Sequence, residues 1–467
     1  MNNKFIIHPI NIILLFFINT TSLKTRAGLS PGFIETAVSL LIISAFALSI
    51  FYLFKNILKD SFKAGIVLSF ILIVTLFFRD MVEFILYFKI NEALPFTGEY
   101  FIAIIISAAA LIVLITFLKR AKRNLITVNV YFNLITIIFL ITEVISFVTS
   151  EAAGVSLKEK IEITSNEEVN EKPDIYFILL DGYTGFKGLK KLWNYDNNEL
   201  KKFFNENDIF FAENAKCVYN VTNYSMVSTF NMTELIYSRD ELYAKENYLA
   251  LAEYMKENPV VKFFSDAGYE FYNFTFWNIN DKKKYYEDIY FLRRGNIYQA
   301  RTLYGHLYKI YNENTADMAV INTGIFNKLV EIHREKSDKP KFVYAHITMP
   351  HPPYYFDAEG NRRDFLYSND SKNMHKYLGQ LKHTNTLIIN TVKKILSTRE
   401  EPVIIIQSDH GFRSYEGKDK MEIELSVLNC FYFPDKDYSM LNDSLKTINT
   451  FRIILNKYFG KNFEMIE

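Results

Sequence analysis

The chain has 467 residues, more than one ordinary hydrophobic core accommodates, and its 53 basic and 52 acidic side chains leave a formal net charge of +1. That balance, with no basic stripe in the polar part, argues against nucleic acid as a partner. The neutral average conceals two different halves, because apolar runs crowd residues 1–150 while Asp, Asn, Lys and Tyr dominate after residue 151. The two cysteines, Cys217 and Cys430, are able to pair in an oxidising compartment but read better as small buried apolar side chains.

A bilayer core takes roughly 20 apolar residues as a helix. About five stretches suit it, at 5–20, 33–54, 64–88, 101–118 and 125–148. Two carry polar interruptions: His8, Pro9 and Asn11 in the first, Arg79, Asp80 and Glu83 in the third. Four or six spans therefore stay open. A cleaved signal peptide over the first stretch has only Thr20-Thr21-Ser22 as a weak cleavage signal, and further spans follow. Lys55, Lys59 and Lys63 lie between the second and third stretches, and Lys119, Arg120, Lys122 and Arg123 between the fourth and fifth. Basic loops stay in the cytoplasm. Five spans then put the N-terminus inside and all residues after 150 outside, with Lys24 and Arg26 running against that order. The expectation is a multi-pass protein of the cell (inner or cytoplasmic) membrane with an extracytoplasmic polar domain; a transporter has only the spans in its favour.

Residues 151–172 are charged, free of aromatic side chains and without apolar period, as a solvated linker reads. A second domain is expected over 173–467, after a transmembrane anchor over 1–150. Ile175–Leu180 is a continuous apolar run, the pattern of a strand buried on both faces of a parallel sheet. Similar runs recur at 342–346, 403–407 and 429–433, with helical spacing over 195–206, 248–266 and 373–398. The alternation predicts a layered α/β domain with a central, mostly parallel sheet.

In such sheets ligands bind beyond the carboxyl ends of the strands. Asp181-Gly182 follows the first run, Pro350-His351-Pro352-Pro353-Tyr354 the second, and Asp409-His410-Gly411 the third. Hard oxygen ligands with one imidazole suit zinc, manganese or magnesium better than a thiolate metal. Singly, each is a weak signal, since a lone Asp after a strand is commonly a turn or cap. Their joint order is the stronger observation. His306, His333, His375 and His383 lack strand-end placement and read as surface or helix residues.

The segments PDIYFILLDGY, HITMPHPPY, IIIQSDHG and the closing NTFRIILNKYFG resemble the membrane-bound sulfatase-like proteins of the alkaline-phosphatase superfamily, which include lipoteichoic acid synthases and lipid A phosphoethanolamine transferases. The resemblance implies a sulfatase-like catalytic domain behind an anchor of about five helices, and one divalent metal held by Asp181, Thr222, Asp409 and His410. It also implies Thr222 as nucleophile and His351 as the group that binds substrate phosphate or protonates the leaving alkoxide, with His346 assisting. Thr222 rests on a gapless alignment ending at Asn231-Met232. A competing alignment puts Val227 there and leaves no nucleophile; Ser225, Ser228 and Thr229 are further candidates, and a helix start rich in capping residues is the plain alternative.

Two departures stand out. Asn385 occupies a place where a second-metal carboxylate is often found, so a two-metal site is not expected. Cys217 is followed by Val-Tyr-Asn-Val, not by the Pro and Arg of the formylglycine signature. The sequence thus points to a phosphotransferase or phosphodiesterase with a phospholipid or lipid-linked donor and a surface glycan or water as acceptor. The alternatives are a sulfatase-like ester hydrolase and an inactive envelope protein that binds glycan or acts as a scaffold. Asn220-Val-Thr222 and Asn231-Met-Thr233 match glycosylation sequons, but a glycan at Asn220 would obstruct a catalytic Thr222.

Overall fold

The computed structural model describes residues 5–26, 32–87, 98–121, 125–149, 154–164, 172–237, 245–280, 298, 301–308, 317–363, 370–398 and 401–467. It divides into two compact units: Met1–Gly154 with Ala244–Glu246 and Asp288–Thr315, and Val155–Tyr243 with Asn247–Glu287 and Ala316–Glu467.

The first unit is helical: α1 (His8–Arg26), α2 (Phe33–Leu58), α3 (Ser61–Leu76), α4 (Phe78–Tyr87), α5 (Gly98–Arg120) and α6 (Ile126–Thr149). All five expected stretches contain helix, but among the described residues only α2, α6 and residues 101–120 of α5 are long and apolar enough to cross a membrane. The third stretch breaks at Phe77, and α3 and α4 together pass the same test but bend by 72°. The count is therefore three, or four if the bent pair is one span. The charges in α4 are paired: Arg79 with Glu83 at 3.0 Å, and Asp80 with Arg301 at 3.1 Å. In α1 the polar side chains that lower its hydropathy bond to neighbouring helices. His8 lies 2.5 Å from Ser69 Oγ on α3 and 3.1 Å from Asn129 Oδ1 on α6, while Asn11 donates to Thr136 at 3.0 Å. Lys63 Nζ donates to the carbonyl of Ala121 at 2.8 Å, which brings the two basic loops to one end of the unit. Lys122 and Arg123 lie outside the described residues.

The second unit is built on eight strands: β1 (Ser156–Leu157), β2 (Ile175–Leu180), β3 (Phe210–Phe211), β4 (Leu235–Ile236), β5 (Glu270–Phe274), β6 (Lys341–Ile347), β7 (Val403–Gln407) and β8 (Asn429–Tyr432). Six form one sheet in the order β3-β8-β7-β2-β6-β5. The four strands from β7 to β5 are parallel, and β8 and β3 add an antiparallel edge. Every residue of β2, β6 and β7 is buried, as their largely apolar sequences lead one to expect, Lys341, His346 and Gln407 included. Part of the segment read as a solvated linker is strand, since Ser156 and Leu157 pair with Ile236 and Leu235. The helical pattern over 248–266 is two helices, Lys245–Lys256 and Pro259–Asp266, because Asn258 caps the second and Pro259 opens it.

The helix Thr222–Asn231 is almost wholly buried and ends at Met232 in a left-handed conformation (φ 54°). Arg452 holds that end. Its Nε and one Nη donate to the Met232 carbonyl at 3.0 and 2.5 Å, and the other Nη to the carbonyl of Glu464 at 2.6 Å. A buried guanidinium on a helix C-terminus satisfies orphan carbonyls and opposes the dipole. Arg452→Met is expected to cost about 1.5–3 kcal/mol, the usual worth of hydrogen bonds to a charged group. It would appear as a lowered apparent melting temperature of the full chain in detergent.

Candidate metal centre and active site

The chain reverses its winding direction around β2: β7 lies on one side and β6 on the other. That arrangement opens a crevice at their carboxyl ends. Asp181 leaves β2 there, the 348–354 loop leaves β6, and Asp409-His410 follows β7 after Ser408. Asp181, His351 and His410 bring ligand atoms within 4.8 Å of one another.

Each of three residues has one polar atom fixed by the fold and one left over. His346 Nε2 donates to Asp181 Oδ2 at 3.1 Å, and Oδ1 has no hydrogen-bond partner. The backbone amides of Gly182 and His410 both donate to Asp409 Oδ1 at 3.0 Å, and Oδ2 is left. His410 Nδ1 donates to the Gly411 carbonyl at 2.7 Å, so its unpartnered Nε2 presents a lone pair. The three leftover atoms converge, with His410 Nε2 3.5 Å from both Asp181 Oδ1 and Asp409 Oδ2. These residues are 6%, 0% and 1% exposed in the order Asp181, Asp409, His410.

Buried carboxylates without compensation are expensive, and buried charges are normally paired or on a metal. A divalent ion removes the difficulty. Ligands at about 2.1 Å from a tetrahedral ion lie roughly 3.4 Å apart, close to the two 3.5 Å separations. The donor set, two carboxylate oxygens and one imidazole, thus fits such an ion. Its protonation states fit as well. Burial alone would raise the Asp181 carboxyl, but its surroundings of His351, His346 and His410, with the hydrogen bond from His346, outweigh it and hold the group well below the usual carboxylate range. Burial pushes His410 down, toward the neutral imidazole a metal requires.

Glycines make the approach feasible. Gly182 has φ +71°, and a Cβ there would point at His410 Cε1 (3.4 Å) and His351 Cβ (3.5 Å). A Cβ on Gly411 would sit 2.1 Å from the Ile423 carbonyl oxygen, so the turn after His410 admits no side chain.

His351 stands differently from the three. Its Nδ1 is 2.6 Å from the Pro352 carbonyl and its Nε2 is 2.9 Å from an Nη of Arg413, an arrangement of neutral imidazole accepting from a guanidinium. The second Arg413 Nη reaches the Asn220 carbonyl at 3.4 Å, and Asn220 Nδ2 donates to Glu424 at 2.5 Å. Two residues on, Thr222 opens its helix, partly exposed. The competing hydroxyls are deeper: Ser228 donates to the Thr233 carbonyl at 2.9 Å, Thr229 to that of Ser225 at 2.9 Å, and Ser225 is 2% exposed. Val227, where the competing alignment would put the nucleophile, is fully buried. Sequence reasoning missed Arg413 and Glu424; Arg413, two residues past Asp409-His410-Gly411, was open to inspection, whereas nothing in the sequence ties Glu424 to Asn220.

The remaining residues singled out in the sequence take these places. Asn385 is fully buried in a closed amide–phenol set, accepting from Tyr183 Oη at 2.5 Å and donating to Asn197 at 2.7 Å. Cys217 and Cys430 are both free and buried, and burial together with the Asp409 charge pushes the Cys217 thiol up. His333 is a buried helix residue beside Thr398, not a surface one. The side chain of Asn231 bonds to the carbonyls of Val227 and Tyr254 in the interior, where a glycan has no room.

Residues 214–450, just over half of the chain, match the family model described as Sulfatase. The chain belongs to the sulfatase family. This sulfatase-family protein is also similar to solved structures at low identity. They include the C-terminal periplasmic domain of EptC from Escherichia coli in complex with zinc (10% identity, TM-score 0.42, 65% of this chain and 84% of that one). The phosphoethanolamine transferase EptC domain from Campylobacter jejuni gives 15% identity and TM-score 0.39 over 62% and 90%. The soluble domain of lipooligosaccharide phosphoethanolamine transferase A from Neisseria meningitidis gives 13% and 0.38 over 65% and 91%. No curated protein sequence matches.

Two variants separate the metal cluster from its surroundings. His346→Ala, which frees Asp181 to rotate, is expected to weaken zinc or manganese binding roughly 10–100-fold, as loss of an outer-shell partner does. Asn385→Leu is expected to leave metal content unchanged while destabilising the fold by about 1–3 kcal/mol, because Tyr183 and Asn197 lose their partner. Metal analysis and thermal melting of the purified full chain read both.

Proposed function

We propose that this protein is a membrane-anchored, metal-dependent phosphotransferase or phosphodiesterase that works through Thr222. The observation that carries the reading is the convergence of three buried, unpartnered ligand atoms, on Asp181, Asp409 and His410, in the crevice where Arg413 links His351 to the segment that leads into Thr222. Asp181, Asp409 and His410 would hold one divalent cation, with Thr222 as the fourth ligand. Such an ion lowers the pKa of a bound hydroxyl and neutralises charge on a transferred phosphoryl group.

The chain's own residues account for the rest. Thr222 Oγ1 attacks phosphorus, the bond to the leaving oxygen breaks, and the phospho group stays on the threonine. The threonine's proton ends on the leaving alkoxide, and His351 is the group beside the site that carries it, once Arg413 turns from its Nε2 to the phosphoryl group and frees the lone pair. In the second half an acceptor alcohol or water gives its proton to His351 and attacks the phosphothreonine. The first helical turn at Thr222 adds a favourable field for developing negative charge. Sulfate-ester hydrolysis through formylglycine is not supported, because Cys217 lies buried with its sulfur 3.6 Å from the Leu425 carbonyl and lacks the signature around it.

The donor is proposed to be a phospholipid or lipid-linked phosphate and the acceptor a surface glycan or water. The anchor supports the lipid part. The basic residues between α5 and α6 belong in the cytoplasm, and α6 carries the chain across once more before residue 150. The chain after α6 is then extracytoplasmic whether the earlier spans number two or more.

The test is intact mass of the full chain in detergent, incubated with manganese and phospholipid vesicles. A phospho adduct is expected on the wild type and not on Thr222→Ala, with turnover of a phosphodiester falling roughly 10³-fold or more. A metal-loaded wild type that gains no adduct, and whose turnover Thr222→Ala leaves unchanged, would sink the threonine mechanism.

A further inference from the structure

Several other arginines among the described residues are compensated by acid or by carbonyl groups. Arg301 pairs with Asp80 at 3.1 Å, Arg362 with Asp317 at 2.6 Å, and Arg452 closes on three contacts with main-chain carbonyls. Arg413 is half-buried, and its two hydrogen bonds go to neutral acceptors: the Nε2 of His351 and, at the long distance of 3.4 Å, the carbonyl of Asn220. Among the described residues no carboxylate lies within ion-pair distance of it. Glu424, the acid associated with this stretch, bonds to the side-chain amide of Asn220 instead.

The charge count makes that arrangement informative. Asp181 and Asp409 together bring two negative charges, which one divalent ion cancels. Arg413 is then left with a full positive charge beside the histidine of the same cluster. A guanidinium is always charged and presents several donors in a planar fork, and it is held here by weak or exchangeable contacts in a crevice partly shielded from water. The ligand that fits is a tetrahedral oxyanion, whose oxygens take fork-shaped hydrogen bonds from arginine.

We infer that Arg413 is the oxyanion-binding residue of the site, receiving the phosphoryl oxygens of the group transferred to Thr222. The inference deepens the phosphotransfer reading and rests on it. It assigns binding of the reacting group to Arg413 and leaves Asp181, Asp409 and His410 to the metal. Lysine at this position would keep the charge and lose the fork.

Inorganic phosphate is the probe, titrated calorimetrically into the full chain in detergent with excess manganese, metal content being measured on the same samples. Arg413→Gln is expected to keep its metal and bind phosphate roughly 10–100-fold more weakly, as loss of hydrogen bonds to a charged group predicts. Arg413→Lys should fall between the two. Phosphate affinity in Arg413→Gln equal to that of the wild type would overturn the assignment and leave the phosphotransfer reading standing. Loss of metal in Arg413→Gln, with no recovery of phosphate binding in a metal-replete Arg413→Lys, would make Arg413 a support for His351 and also overturn it. A wild type that holds manganese and binds no phosphate would remove the phosphotransfer reading, and this inference with it.

Discussion

Two carboxylates buried side by side at the ends of neighbouring strands are the constraint on which the catalytic unit depends. In the low dielectric of a protein interior, an uncompensated ionised carboxylate is costly enough that folds avoid it or neutralise it. Here each acid keeps one oxygen bonded by a group that cannot easily move: His346 for Asp181, and the amides of Gly182 and His410 for Asp409. The second oxygen of each is left facing His410 Nε2. The parallel pairing of β2 with β7 sets the two strand ends side by side, and a left-handed glycine after the first acid lets the imidazole approach. The sheet therefore holds the cluster in a geometry that a cation fits.

The same economy governs the helix that carries the proposed nucleophile. Arg452 fixes its C-terminal end through the Met232 carbonyl, and Asn220, just before its start, is bonded to Glu424 and Arg413. A helix anchored at both ends delivers the side chain of its first residue to one place. This gives a physical reason for the closing segment NTFRIILNKYFG: its arginine supports the far end of the helix on which Thr222 sits. Preorganisation of this kind lowers the ordering required when substrate binds.

Much of this was legible in the sequence, and what was not has identifiable causes. Asp181, Asp409 and His410 stand out in the sequence because buried-strand runs leave a clear apolar pattern and several of them in order end in residues of metal-ligand chemistry, although any one such residue is commonly a turn or cap. The edges of the sheet were harder. β5, with the sequence Glu-Phe-Tyr-Asn-Phe, is only partly buried, and β1, β3 and β4 are two residues each, too short for any period to register. The linker was misjudged for that reason. In the helical unit, hydropathy could not foresee that His8 and Asn11 would find partners on α3 and α6, or that Asp80 would pair with an arginine 221 residues away in sequence. Long-range pairing leaves no mark in a local window. Arg413 was visible as a residue but not as a partner of His351, because that contact joins the loops after β7 and β6.

Asn385 bears on how the proposed chemistry would be organised. The resemblance sets Asn385 where a second-metal carboxylate is often found, and in this fold its amide is locked to Tyr183 and Asn197 in the interior. With one cation, an enzyme that holds donor and acceptor together has little with which to stabilise both the entering and the leaving oxygen. A covalent phosphothreonine removes that demand, since each half-reaction presents only one exchanging oxygen to the site. In the proposed sequence the donor alcohol would depart before the acceptor arrives, and both would use the same side of the crevice. A single cation, one uncompensated guanidinium and one neutral imidazole suffice for such a sequence, and the same set serves whether the second alcohol is a sugar hydroxyl or water. Transfer and hydrolysis then differ in what reaches the phosphothreonine first, a property of the surrounding loops and of water access to the crevice, while the metal cluster stays common to both.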